Sequence, residues 1–153
     1  MGQSLSQLYI HLTFSTKSRK PFIKPEIKDE LHTYIAETLK QHESPALIIN
    51  SVPDHVHILF RLSKNVSLAK IVEEIKKSSS KWMKTKIHSH SAKPFSWQIG
   101  YGAFTVSSSK VNTVIKYISR QEERHKNISY KEEVEKFIRE YNIDDYNPEY
   151  YWR

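Results

Sequence analysis

Ala46-Leu47-Ile48-Ile49-Asn50-Ser51-Val52-Pro53-Asp54-His55-Val56-His57-Ile58-Leu59-Phe60-Arg61-Leu62 decides the fold. Two runs of β-forming residues flank Pro53-Asp54, a dipeptide suited to a tight turn, so the stretch reads as a hairpin of strands 46–52 and 55–62. Side chains along a strand alternate with a period of two, so His55 and His57 share one face while Val56 and Ile58 share the other. Two imidazoles side by side on a rigid strand form either a surface pair or two ligands for one divalent ion.

The chain extends this hairpin in both directions. Upstream, residues 7–16 alternate, with Leu8, Ile10, Leu12 and Phe14 on one face and Tyr9, His11 and Thr13 on the other, which predicts an opening strand. Lys17-Ser18-Arg19-Lys20 is a basic turn, either a solvated loop or a phosphate contact. Pro25 at a first helical turn, with Glu26, Asp29 and Glu30 near the positive end of the dipole, starts a helix whose inner face is Ile27, Leu31, Tyr34 and Thr38.

Downstream, Ser67 caps a helix reaching about Lys86. Leu68, Ile71, Val72, Ile75 and Trp82 form its apolar face, and Lys70, Lys77, Lys81 and Lys84 form a basic stripe opposite. That stripe is either a solvated face or a backbone contact for nucleic acid. His88-Ser89-His90 lies in a polar loop without strand context. Residues 97–106 read as a fourth strand or two short ones, with Gly100 and Gly102 marking a bend or bulge. Residues 110–125 read as one helix with an inner stripe of Val111, Val114, Ile115 and Ile118. Lys110, Tyr117, Gln121 and Arg124 run along its edge, with Tyr117 and Gln121 one turn apart. Ser129-Tyr130-Lys131-Glu132 is a capping box opening a last helix, and an aromatic tail of Tyr146, Tyr150, Tyr151 and Trp152 follows.

The order β-α-β-β-α-β-α-α predicts an α+β fold, a ferredoxin-like (RRM-like) antiparallel sheet built on split βαβ units, with extra C-terminal helices. Its first and third strands are central, so the histidine pair sits mid-sheet. Its face is open unless the Tyr117 helix packs over it, which would put helices on both faces. At 153 residues the chain has the size of a single domain spanning 1–153. A net charge of +7, from 24 basic and 17 acidic residues, favours a polyanionic partner. The absence of cysteine excludes disulfides and thiolate chemistry and suits a reducing cytoplasm. No apolar run is long enough to span a membrane, and no secretory leader is visible. With only 3 glycines there is no glycine-rich phosphate loop.

If the Tyr117 helix crosses the histidine face, His55, His57 and Gln121 can hold one Mg²⁺ or Mn²⁺ beside Tyr117. A phenol is a poor nucleophile near pH 7 unless a cation favours its anion, and a metal also polarises a phosphate. Taken together, Pro53-Asp54-His55-Val56-His57, Gly100-Tyr101-Gly102-Ala103-Phe104 and Tyr117-Ile118-x-x-Gln121-Glu122-Glu123-x-His125 resemble the HUH single-tyrosine transposases of small bacterial insertion sequences, including the palindrome-associated relatives. The opening strand ending Phe14-Ser15-Thr16-Lys17 and the aromatic tail extend the resemblance over nearly the whole chain. It implies binding of hairpins in single-stranded DNA, and strand cleavage and rejoining through a 5′-phosphotyrosine on Tyr117. It also implies His55, His57 and Gln121 as metal ligands, and a homodimer in which Tyr117 acts in trans on the partner's histidines. Arg124 departs from the family where relatives often carry a second histidine. A replication initiator or relaxase-like nickase shares the histidine and tyrosine logic. A non-catalytic RNA-binding module shares the fold but needs exposed aromatics on its central strands, where this chain has histidines.

Overall fold

A computed structural model of the protein describes residues 2–87 and 94–153. The His88 and His90 loop lies outside the described residues. Four strands, β1 (Leu8–Ser15), β2 (Ala46–Val52), β3 (His55–Leu62) and β4 (Gly102–Val106), pair antiparallel in the order β2-β3-β1-β4. β3 and β1 are therefore central, as the split βαβ order requires. The hairpin strands have the predicted bounds, and register sets His57 opposite both Thr13 and Asn50, and His55 opposite both Ser15 and Val52.

One sheet face meets α1 (Pro25–Gln41) and α2 (Leu68–Lys86). Ile10, Leu12 and Phe14 of β1 and Val56, Ile58 and Phe60 of β3 bury there against Leu31, Ile35, Leu39, Ile71, Val72, Ile75 and Met83. Burying each such side chain contributes about 1.5–3 kcal/mol, which makes this layer the main stabiliser of the sheet. The inner faces of both helices differ slightly from expectation. Ile35 and Leu39 complete the α1 stripe, while Tyr34 stays exposed and stacks on Trp82 at 5.9 Å. Met83, not Trp82, continues the fully buried line of α2. The Ser67 cap is formed, its hydroxyl accepting from Lys70 N at 3.1 Å.

The other face is covered by α3 (Val111–Ser119), α4 (Gln121–Arg124) and α5 (Tyr130–Glu140). Ile118 packs there on Leu59 and Val106. The helix read as continuous over 110–125 is in fact interrupted. Lys110 ends a short 3-10 turn, and Arg120, with φ −104° and ψ 22°, breaks the path between α3 and α4. No glycine or proline causes this. Asn50 Nδ2 donates to the Ile118 carbonyl at 2.8 Å, taking an acceptor that an unbroken helix would use internally.

β4 is shorter than the expected strand. Trp97 makes only an isolated bridge to Thr16, and the intervening chain is held by Lys76, whose ammonium donates to the carbonyls of Gln98, Ile99 and Gly100 at 2.8, 3.1 and 2.7 Å. Gly102 pairs with Thr13 without a bulge. Its role is close approach, since a Cβ there would lie 3.2 Å from the Phe104 ring and 3.3 Å from the Tyr151 hydroxyl. The aromatic tail, carrying α6 (Pro148–Tyr151), docks on its own chain. Trp152 stands edge-on to Tyr130 at 5.7 Å, and the Tyr151 carbonyl accepts from Gln98 Nε2 at 2.8 Å.

Candidate metal and tyrosine site

Between the sheet and α3–α5 lies a buried polar cluster in an otherwise apolar layer. His55 and His57 are fully buried, and the ring nitrogens not facing its centre are already engaged. Asp54 Oδ1 accepts from His55 Nδ1 at 2.7 Å. His57 Nδ1 and His11 Nε2 share a hydrogen bond of 2.7 Å. His125, just past α4, has Nδ1 bonded to the Ile128 carbonyl at 2.9 Å. These outer partners turn the Nε2 atoms of His55, His57 and His125 inward, the arrangement by which metal-binding histidines are usually oriented.

Glu133 on α5 receives them. Its Oε1 lies 2.9 Å from His57 Nε2, 3.1 Å from His125 Nε2 and 3.6 Å from His55 Nε2. Its Oε2 accepts the Tyr117 hydroxyl and, at 3.1 Å, Gln121 Nε2. Gln121 is fully buried, with Oε1 2.8 Å from His125 Nε2 and 3.3 Å from His55 Nε2. The ligand atoms of His55, His57, His125 and Glu133 all lie within 4.8 Å of one another, so this set can hold a divalent ion.

Burial shapes the charges. It lowers the pKa of His55 to about 4 and of His11 to about 3, so both imidazoles are neutral near pH 7 and the inward His55 nitrogen keeps its lone pair. For His125 burial opposes the charge, but the Glu133 carboxylate outweighs it and raises the pKa. Burial also opposes ionisation of Glu133, yet hydrogen bonds from His125 and His57 hold its carboxyl far below the usual range. Tyr117 is pushed well above an ordinary phenol, first by burial and then by the charge of Glu133, with Arg124 opposing. A carboxylate facing three imidazole nitrogens at this spacing calls for a proton or a cation among them.

The predicted site residues divide into two groups. His55, His57, Tyr117 and Gln121 come together around Glu133. Arg124 joins them, its guanidinium 4.3 Å over the Tyr117 ring and its buried Nε without a hydrogen-bond partner among the described residues. Two mouths flank the cluster. One, of about 240 Å³, is lined by Tyr117, Arg124, Glu133 and Lys136. The other, of about 410 Å³, is lined by Arg19, Asp54 and His125. Lys17 and Arg19 form a 3-10 turn near the second mouth. Ser18 and Arg19 have φ of 57° and 54° there, a backbone state that costs energy without glycine. Lys20 follows the turn, exposed. Lys110 is exposed ahead of α3, while Lys70, Lys77, Lys81 and Lys84 lie on α2, beyond the opposite sheet face. Lys70 is paired with Glu74 at 3.0 Å.

Three participants escaped the sequence reading: His11, His125 as a donor, and Glu133. Alternation puts His11 on the Thr13 face of β1, but its partner His57 lies 46 residues away. Glu133 carried a visible signal. It shares the spacing Tyr130, Glu133, Val134, Phe137, and an acidic residue within a core stripe is rarely buried without partners.

A ferredoxin-like sheet carrying paired histidines beneath a tyrosine helix defines the HUH single-tyrosine class. A family model described as IS200-like transposase matches residues 4–121, and the chain belongs to this family. It is 25% identical over 121 residues to the ISDra2 transposase TnpA of Deinococcus radiodurans, covering 77% of this chain and 86% of that relative. Two solved structures share the fold. One is a Deinococcus radiodurans protein assigned as a transposase, with TM-score 0.63, 22% identity, and coverage of 79% of this chain and 96% of that one. The other is a REP-associated tyrosine transposase bound to a REP hairpin, with TM-score 0.59, 14% identity, and coverage of 82% and 74%. The family match ends at Gln121, short of His125 and Glu133.

Proposed function

We propose that this protein, acting as one domain over residues 1–153, binds hairpins in single-stranded DNA and cleaves and rejoins strands through a 5′-phosphotyrosine on Tyr117, with Mg²⁺ or Mn²⁺. The observation that carries the reading is that the Tyr117 hydroxyl and the His57 imidazole share one buried carboxylate, Glu133. A nucleophile and a cation-holding cluster thus meet at one point.

Tyr117 Oη, oriented by its hydrogen bond to Glu133 Oε2, attacks the scissile phosphorus and loses its proton to solvent. The Oη–P bond forms, the bond from phosphorus to the 3′ oxygen breaks, and the departing strand takes up a proton as a 3′-hydroxyl. A second 3′-hydroxyl reverses the sequence, so no nucleotide cofactor is consumed. His55, His57 and Gln121 would hold the ion, and its chemistry there would be to polarise the phosphate and offset developing charge. The Arg124 guanidinium lies over the Tyr117 ring, and both residues line the smaller mouth. The RNA-binding alternative loses support, because His11, Thr13, His55 and His57 on the sheet face that would stack bases are buried under α3–α5.

The test is incubation with labelled single-stranded hairpins and Mn²⁺ or Mg²⁺. The expected product is a protein–DNA adduct that survives denaturation, and its absence across a diverse hairpin library refutes the reading.

Strand exchange between two DNA ends needs two tyrosines, which favours a two-fold dimer. Within one chain the Tyr117 hydroxyl already bonds the carboxylate beside its own histidines, which supports delivery in cis over delivery to the partner. Mixing Tyr117→Phe protein with His55→Ala/His57→Ala protein, under subunit exchange, is therefore expected to leave cleavage absent. Recovered cleavage would assign trans delivery.

The α2 lysines bear on affinity. Replacing Lys70, Lys77 and Lys81 with Gln is expected to flatten the slope of log affinity against log salt by about 1.4. That is two contacts at ~0.7 each, since Lys70 is already paired with Glu74. An unchanged slope would make this face a solvated surface.

A further inference from the structure

We propose that His125 and Glu133, both beyond the segment the family model matches, complete the ion site as direct ligands, and that the resulting three-imidazole, one-carboxylate set selects a first-row transition ion over Mg²⁺. The proposal rests on the reading above that the histidine pair holds a divalent ion, and it changes the ligand set and the ion. Gln121 Oε1, 2.8 Å from His125 Nε2 and 3.3 Å from His55 Nε2, stays within reach of the same ion beside them.

Spacing is the first argument. Ligands bonded at about 2.1 Å to one ion sit about 3.0–3.4 Å apart around it. Glu133 Oε1 lies 2.9 and 3.1 Å from the Nε2 atoms of His57 and His125, and 3.6 Å from that of His55.

Orientation is the second. His125 has its outer nitrogen fixed by the Ile128 carbonyl, just as Asp54 fixes His55. That contact fixes the direction of the His125 ring. It holds the ring edge-on to His55 with centroids 4.4 Å apart, so both inner nitrogens face the same carboxylate oxygen.

Chemistry is the third. Mg²⁺ keeps several waters and prefers oxygen donors, whereas imidazole suits the later first-row ions and affinity rises from Mn²⁺ to Co²⁺. A site with three nitrogen donors and a single carboxylate, closed except at the half-buried His125, leaves Mg²⁺ few of the oxygens it needs. The two mouths beside Tyr117 and Asp54 leave an approach for a phosphate oxygen to any remaining coordination position.

The experiment is calorimetric titration of Mg²⁺, Mn²⁺ and Co²⁺ into the DNA-free protein. One site is expected, with Mn²⁺ bound about 100-fold more tightly than Mg²⁺ and Co²⁺ more tightly still. Glu133→Gln and His125→Ala are each expected to weaken Mn²⁺ by about 100-fold or more, and Gln121→Ala by about 10-fold. Pulsed electron paramagnetic resonance of the Mn²⁺-loaded wild type is expected to count three imidazole nitrogens, a readout that needs no variant to fold. Two nitrogens, equal Mg²⁺ and Mn²⁺ affinities, or wild-type Mn²⁺ affinity in folded Glu133→Gln would each overturn the proposal. Expected Mn²⁺ binding with no adduct on any hairpin would instead remove the transposition reading and leave the ion site standing.

Discussion

Tyr117→Phe is expected to abolish the covalent adduct while leaving the fold and hairpin binding in place. Phenylalanine keeps the ring and its neighbours, including the Arg124 guanidinium 4.3 Å away and the edge contact with Phe137 at 5.7 Å. What disappears is the oxygen that would form the bond to phosphorus. Losing a covalent nucleophile can cost on the order of 10⁶ in rate, so adduct should fall below detection. Stability should change little. Glu133 Oε2 loses one donor but keeps Gln121 Nε2 at 3.1 Å, so the cost falls near the low end of the roughly 1–3 kcal/mol for an unsatisfied buried acceptor. In a domain of this size that lowers Tm by about 2–4 °C. Adduct formed by the Phe variant at the wild-type rate would assign the chemistry to another tyrosine. The candidates then would be Tyr130, buried against His55, and Tyr9 on the same sheet face.

His55→Ala/His57→Ala is the second large effect. Both imidazoles are fully buried, and their inner nitrogens face Glu133. Their removal is expected to eliminate measurable Mn²⁺ binding and with it cleavage. It should also destabilise the protein, because the buried Glu133 carboxylate loses its His57 hydrogen bond, and a hydrogen bond to a charged group contributes about 1.5–3 kcal/mol. Hairpin binding should persist at low temperature, since phosphate contacts by exposed lysines and arginines supply most of the affinity. Undiminished Mn²⁺ affinity in the double variant, measured by calorimetry, would remove the histidines from the ion site. Retained cleavage would separate the reaction from these residues altogether.

Local sequence determined the sheet. Alternation in β1 and β3, and the Pro53-Asp54 turn between two β-rich runs, each act within a few residues, so strand bounds and the shared face of His55 and His57 follow from chain geometry alone. The Ser67 and Ser129 caps are equally local, each hydroxyl accepting from a backbone N–H three residues on. Family membership was also legible, because Tyr117 and Gln121 with the histidine pair form a pattern along the chain.

Tertiary structure alone decided the rest. The break at Arg120 depends on Asn50, which reaches the Ile118 carbonyl from a strand 68 residues earlier in the chain. The docking of the tail depends on Gln98, whose amide joins Ser15 N to the Tyr151 carbonyl. Glu133 shares, along the sequence, the stripe of Tyr130, Val134 and Phe137 in a capped helix, which marks it as inward-facing but names no partner. Only the packing of α5 over the sheet sets its carboxylate against His57, His125 and Tyr117. A side chain's alternation or helical phase states which way it points. What it meets there is fixed by a separate element, and for a buried charge that meeting decides both its ionisation and its chemistry.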